Sequence, residues 1–418
     1  MKRILNRLLN LTYVAYLAHD TRYFNERQPY LDGLRGYASL IVLLAHLIIS
    51  LLPAVITLEA SAVRTSYDLS VGMSPIGVFW NGNAAVCVFF VLSGYVLTNL
   101  AQRSKLSMAA QVVRRYVRLV LPMTITILLP AVLMKLGAMH NAAAAQVSHS
   151  GWLSLWYQFV PSFRGAVWEA LYGAFAKGQS AYNSNLWTMR TELLGSLAVF
   201  IITAMHGHRM VRLVCYAVFI VLTYLDYYPL FAVGAILYDF RDVGMPARGH
   251  LGLKSGFWSA LLFGIGLYLC AIPAASSYET MTWFGFLPVL AAGGDNARYW
   301  HEFGAMLVMA GLLNSLRLQV FFSNRFSQWL GKISFTLYLI QLPIICSFTA
   351  WLILRFQHLG YIALVALTGL ISLVFILVAA TVFSTFVDTI PTLISRQVGR
   401  AVDRIALNFQ RGPEINGK

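Results

Sequence analysis

The chain is poor in charge, and poorer still in acids. Of its 418 residues only 11% are charged, 16 Asp+Glu stand against 31 Lys+Arg, and 58% are hydrophobic. A soluble globular protein carries about 25% charged residues, so a water-soluble fold and a disordered chain are both excluded. The mean hydropathy of +0.67 fits a chain whose main solvent is lipid. A net charge of +15 would point to nucleic acid in a soluble protein, whereas in a lipid-solvated one the placement of the cations reports topology. Cysteine is scarce as well: Cys87, Cys215, Cys270 and Cys346 lie far apart in separate apolar runs, with no C-x-x-C and no paired His spacing. That pattern supports neither a disulfide framework nor a metal site, and the four read as buried thiols. The first apolar stretch, Leu8 to Ala18, is interrupted by Tyr13 and Tyr16 and runs into His19-Asp20 without a small-residue cleavage site. It predicts an amphipathic helix on the membrane surface rather than a cleavable leader. No inverted repeat of the kind that marks many transporters is visible.

What the chain has in abundance is long apolar runs. A spanning helix needs about 20 mostly apolar residues, and ten stretches qualify: 36–57, 84–101, 119–138, 186–206, 211–225, 227–240, 255–274, 303–316, 333–354 and 360–387. The fifth, sixth and eighth are short. Residues 139–185, with Trp152, Trp156, Tyr157, Phe159 and Trp168, are too broken by polar groups to span and predict an interfacial or re-entrant segment. With the N-terminus cytoplasmic, 24 of the 31 Lys+Arg fall inside, five outside and two (Lys135 and Arg190) within spans. This is the positive-inside bias, and an odd span count would destroy it. The expectation is an all-α polytopic membrane protein with about ten transmembrane helices in one bundle and both termini cytoplasmic. Residues 1–30 form a cytoplasmic amphipathic segment, 31–392 the membrane domain and 393–418 a basic cytoplasmic tail. The sequon at Asn10-Leu11-Thr12 then stays in the cytosol.

Ionisable groups at membrane depth are costly and are functional candidates by default. Arg35 and His46 are the sharpest pair. Eleven residues on a helix return to within about 20° of the same face and rise about 16 Å, which puts Arg35 at the cytoplasmic mouth and His46 near mid-membrane on one line. A guanidinium at the mouth suits a phosphate or another anion. A deep imidazole suits proton transfer. Alternatively, Arg35 is a topogenic charge and His46 a packing histidine. Arg114, Arg115 and Arg118 cluster on one helical sector where the third span begins. They make an anion site or a lipid-headgroup anchor, and with Arg35 at the same level a polyanion such as coenzyme A fits. Arg190 and Glu192, at the outer end of the fourth span, do not share a helix face, so each needs a partner on another helix. Trp187 beside them reads as an interfacial residue.

These residues resemble acyltransferase family 3, integral membrane acyltransferases with ten-helix cores. Asp32-Gly33-Leu34-Arg35-Gly36 with His46 is similar to its R-x10-H signature, and Phe89-Phe90-Val91-Leu92-Ser93-Gly94 to its FFVLSG block. Arg114-Arg115-x-x-Arg118-Leu119 is similar to its arginine motif, Leu186-Trp187-Thr188 through Glu192 to its LWSL-x-x-E segment, and Phe231-Ala232-Val233-Gly234 to a family F-x-x-G helix. Leu330 to Ile340 resembles its LGKISYSLYLIH block, and Pro391 also fits. Two positions depart: Gln341 stands where the family block usually ends in His, and Arg190 where the family is often apolar. The resemblance implies transfer of an acyl group, commonly acetyl, from cytoplasmic acyl-coenzyme A to a hydroxyl of a glycan, lipid-linked sugar or secondary metabolite, with no tightly bound cofactor. On that reading Arg35, Arg114, Arg115 and Arg118 hold the phosphates and Ser93 sits near the thioester. His46 is general base or acyl acceptor, and Glu192, Trp187, Tyr338 and Gln341 line the acceptor side. The rival readings are a transporter or flippase for a lipid-linked glycan, which would lack acyl chemistry, and a non-catalytic acyl-lipid scaffold.

Overall fold

Pro29 supplies a preset φ at the first turn of a helix, and no proline interrupts the run until Pro53. The outcome in the computed structural model, which describes residues 28–205, 209–241, 253–274, 283–290 and 296–411, is helix α1 over Pro29–Leu51. Helix α2 (Gly82–Arg103) starts where the Asn81 side chain accepts the Ala84 N–H at 3.0 Å, and α3 (Met108–Lys135) starts at Ser107, whose hydroxyl accepts the Ala110 N–H. Such caps satisfy amides that the first turn cannot pair itself. The remaining long helices are α4 (Trp187–Ala204), α5 (Arg209–Thr223), α6 (Pro229–Asp239), α7 (Leu253–Cys270), α8 (Asn296–Leu313), α9 (Arg325–Ile344), α10 (Tyr361–Ser384) and α11 (Ile390–Arg411). No strand occurs among the described residues, as the all-α expectation requires. The N-terminal amphipathic segment and the sequon at Asn10 lie outside the described residues, apart from residues 28–30.

Helices lie on all ten of the apolar stretches, but they differ in reach. Six, built on α1, α2, α3, α4, α9 and α10, are long and apolar enough to cross a membrane; a seventh is α8 together with the short helix Leu316–Phe322, if that pair, bent by 100°, counts as one. The eleven residues of α6 rise only about 16 Å against a hydrocarbon core of about 30 Å. Residues 139–185 contain only short helices, Asn141–Ser148, Gly151–Ser154 and Phe163–Trp168 among them. They are held by Glu169, whose buried carboxylate accepts the N–H groups of Ala181 and Tyr182 at 3.1 and 3.0 Å. Burial raises the pKa of this carboxyl, and the two N–H donors oppose the shift. Beyond α10 the chain passes through a π-helical turn, Thr385–Thr389, into α11. Up to Arg411 the expected basic tail is thus a helix, and it lies along α3: the Ser107 N–H donates to Asp403 at 2.7 Å.

In lipid, helix association depends on close backbone approach rather than on the hydrophobic effect, so small residues mark the seams. At the α1–α9 seam a Cβ on Gly36 would lie 2.5 Å from the Gly331 amide nitrogen. One turn on, the Ser39 hydroxyl donates to the Ser334 carbonyl at 2.8 Å, across 295 residues of sequence. Gly36 faces Gly331 and Ser39 faces Ser334 at that same offset, so the two helices run parallel. A second seam joins α2 to α6, where Cβ atoms on Gly94 and Gly234 would lie 2.1 Å from the Phe231 oxygen and 2.0 Å from the Val91 oxygen. The outer face of α10 stays apolar and open, with Val374, Val378 and Val382 exposed.

Candidate active site

Pro343 has no N–H to offer the carbonyl of Leu339 in α9. Asn183 fills that gap, its side-chain amide donating to Leu339 O at 2.7 Å, and Asn185 donates to Tyr338 O at 2.7 Å. The start of α4 is thereby tied to the middle of α9, not to an outer end. Glu192, just over one turn into α4, consequently reaches the arginines of α3. Arg115 forms an ion pair with the Glu192 carboxylate and donates through Nε to Ser196 at 2.9 Å, while Ser93 of α2 donates to Glu192 at 2.8 Å. The partner that Glu192 needed on another helix is Arg115.

Around this pair three cavities follow one another. The first, of about 710 Å³, opens between α1, α3 and α11 and is lined by Arg35, Arg114, Arg115, Arg118 and Arg396, with Asp32 and Asp388 as its acids. The second, of about 160 Å³, is an apolar neck walled by Phe89, Phe90 and Phe335 that also holds Ser93, Glu192 and Tyr338. It shares Arg35, Arg115, Arg118 and Asp388 with the first. The third, of about 250 Å³, is lined by His46, Trp80, Trp152, Trp187 and three asparagines, Asn81, Asn83 and Asn185. It shares Val86 and Tyr338 with the neck. Tyr338 is pinned at this junction, donating to Asn185 O at 2.8 Å with Thr188 Oγ1 at 3.0 Å.

The cationic end is only partly neutralised internally. Arg35 pairs with Asp32 at 2.8 Å and Arg118 with Asp388 at 3.2 Å, and Arg118 also donates to Thr392. Arg114 has Arg396 and Arg400 of α11 for electrostatic neighbours, and a Cβ on Gly399 would lie 3.1 Å from its own Cβ. A half-buried cluster of like charge is unfavourable until an anion joins it.

At the other end the His46 ring lies flat on Trp152, with centroids 5.1 Å apart and planes at 17°. Trp152 is held there because Ser150 donates to the Ile49 carbonyl at the end of α1 at 2.6 Å and Asn141 donates to the carbonyls of Leu153 and Trp156 at 3.0 and 2.8 Å. His46 Nδ1 is buried with no hydrogen-bond partner. His301 behaves in the opposite way: its Nδ1 is 3.0 Å from Asn83 Oδ1 and its Nε2 2.7 Å from Ile272 O. A satisfied imidazole suits packing, and an unsatisfied one beside a cavity suits chemistry.

Of the residues singled out in the sequence, the structure brings Arg35, Arg114, Arg115 and Arg118 together, joined in the neck by Ser93 and Glu192. It groups Trp187 and Tyr338 with His46 in the chamber wall, while Gln341 lies buried behind it on α9. Glu192 thus stands with the arginines, not with His46. The sequence reasoning missed Asp388 and Arg396 as cavity residues and Trp152 as the partner of His46. An acid at position 388, inside a long apolar run, was the available signal for the first. The i,i+4 spacing of Arg396, Arg400 and Arg404 was the signal for the second.

An arginine-lined mouth joined through a narrow neck to a deep imidazole suits group transfer in a membrane. The chain belongs to the Acyltransferase domain family, which residues 28–387 match. It is similar to acyltransferase clz18 of Cochliobolus lunatus, 24% identical over 86% of this chain and 93% of that protein. It is also similar to acyltransferase R4 of a Phoma species, at 23% over 86% and 93%, and to the O-acetyltransferase PaAT-1 of Phomopsis amygdali, at 25% over 88% and 83%. No solved structure matches the chain. The protein is a membrane acyltransferase.

Proposed function

We propose that the protein moves an acyl group, acetyl in the simplest case, from acyl-coenzyme A bound at the arginine end to a hydroxyl of an acceptor bound at the tryptophan end. The observation that carries this reading is the series of three cavities between the arginine cluster and His46. The phosphates neutralise Arg35, Arg114, Arg118 and Arg396, and the thioester arm lies in the neck against Phe89 and Phe335. His46 removes the acceptor's proton as its oxygen attacks the thioester carbonyl. The C–S bond breaks, and the proton passes on to the departing thiolate. Among the described residues the acceptor chamber has no Asp, Glu, Lys or Arg in its wall, only His46, Tyr338, tryptophans, asparagines and small or apolar groups. A wall of that kind among the described residues favours an uncharged hydroxyl compound that presents a ring face to Trp152 or Trp187. The arginine end faces the cytoplasm, where acyl-coenzyme A is found, and this agrees with the cation bias of the sequence.

The test is equilibrium binding to detergent-purified protein of acetyl-coenzyme A and of S-acetylpantetheine, which carries the same thioester without the nucleotide. Acetyl-coenzyme A is expected to bind about 10²-fold tighter or more, since hydrogen bonds to charged groups contribute about 1.5–3 kcal/mol each. The gap should shrink as salt is added. Equal affinity for the two ligands would remove the arginine cluster from donor binding.

A further inference from the structure

The parallel seam of α1 and α9 sets one further pair face to face. The offset of 295 residues that matches Gly36 to Gly331 and Ser39 to Ser334 leads, seven residues on, to His46 and Gln341. Seven residues are close to two turns on either helix, so the pair lies on the same seam. The Gln341 amide is the polar side chain that acts on His46 from this seam. Gln341 is fully buried, and both its Oε1 and His46 Nδ1 are buried without a hydrogen-bond partner. Leaving a buried polar atom unsatisfied is costly, and a single N–H···O bond between the two would relieve both.

The orientation of the amide is set as well. Gln341 Nε2 donates to the Tyr338 carbonyl at 3.3 Å, which leaves Oε1 as the amide atom still free to accept from the ring. An acceptor oxygen there selects the tautomer with the proton on Nδ1; the other tautomer would set two lone pairs against each other. We propose that Gln341 is a positioning residue that holds the Nδ1 proton of His46, so that Nε2 presents its lone pair to the chamber as the base. A neutral amide in that place keeps the imidazole uncharged at rest, as a carboxylate would not. Trp152 covers the ring face, and Gln341 then fixes the rotation of the ring about its stacked plane. The charged groups of the site, Arg115 with Glu192 and Arg118 with Asp388, line the neck and mouth and are absent from the wall of the chamber. This inference rests on His46 being the base.

The experiment measures thiol release from acetyl-coenzyme A, with water as acceptor, across pH in the full-length protein, for wild type, His46→Ala, Gln341→Leu and Gln341→Glu. Gln341→Leu is expected to lower kcat about 10- to 100-fold, as loss of a group orienting a histidine does elsewhere, with acetyl-coenzyme A binding unchanged. Gln341→Glu puts a carboxylate oxygen where the amide oxygen stood. It should stabilise the imidazolium and move the acid limb of the pH profile upward by about one unit or more. If Gln341→Leu does not fold, the limb of Gln341→Glu decides alone. A wild-type rate in Gln341→Leu, or an unmoved acid limb in Gln341→Glu, overturns the role of Gln341 while His46→Ala is inactive. A wild-type rate in His46→Ala overturns the base assignment itself, and the role of Gln341 falls with it.

Discussion

Gly36→Ala tests whether the α1–α9 seam sets the chemistry. The new Cβ would lie 2.5 Å from the Gly331 nitrogen and 2.6 Å from the Leu330 carbonyl carbon, both backbone atoms that cannot swing aside. Ordinary contact needs about 3.5 Å, so the two helices must part by about 1 Å. Overpacking of this kind costs about 1–3 kcal/mol. The better helix propensity of alanine returns up to about 1 kcal/mol, which leaves a net loss of about 0–2 kcal/mol. The effect on rate should be far larger. His46 rides on α1 and both Gln341 and Tyr338 on α9, so the parting opens the site itself, and a 1 Å misplacement can cost about 10²-fold. Thermal unfolding followed by tryptophan fluorescence, beside thiol release from acetyl-coenzyme A, separates the two effects. Gly264→Ala is the control, because its Cβ would meet nothing within 4 Å; it should keep both the stability and the rate. A Gly36→Ala protein with the wild-type rate would refute the claim that this seam positions His46.

Arg115→Ala leaves Glu192 mostly buried and without its cation, and should destabilise the protein by about 3–5 kcal/mol, read as a lowered melting temperature. The double variant Arg115→Met with Glu192→Leu should recover much of that stability and keep the affinity for acetyl-coenzyme A, whose phosphates fall to the other arginines; lost affinity would show that Arg115 also holds the donor. Trp152→Ala removes the surface on which the His46 ring lies. It should lower kcat about tenfold or more without weakening acetyl-coenzyme A binding, while Trp152→Phe keeps a stacking face and most of the rate. Weakened donor binding in Trp152→Ala would mean that the tryptophan end is not separate from the donor site.

The long apolar runs made six of the helices legible, because a run of about 20 apolar residues with few charges leaves a membrane chain little other choice. Arg35 and His46 could be placed on one line because both lie on one unbroken helix, where spacing alone fixes direction. The fifth to eighth stretches are the ones whose helices fall short or bend; the shortness of the fifth, sixth and eighth was visible in the sequence, that of the seventh was not, and what shields them is tertiary. Contacts between helices were closed to sequence reasoning for the same reason. Nothing local brings Arg115 to Glu192 or Asp388 to Arg118, and nothing local says that Trp152 folds back over α1. The pairing of Arg115 with Glu192 needed the low start of α4, which depends on the carbonyl that Pro343 frees in α9. Gln341 was legible as a departure from a family pattern, and its consequence became visible only when the α1–α9 register was known.

The central claim is that His46 removes the acceptor's proton during acyl transfer. It is met most directly by single-turnover thiol release from acetyl-coenzyme A in wild type and His46→Ala, with donor binding measured on the same samples. The expected result is that both proteins bind acetyl-coenzyme A equally and only wild type releases thiol at an appreciable rate, a difference of about 10²- to 10⁴-fold. Equal rates with equal binding would contradict the claim, and the unsatisfied imidazole would then have to be read as a packing residue.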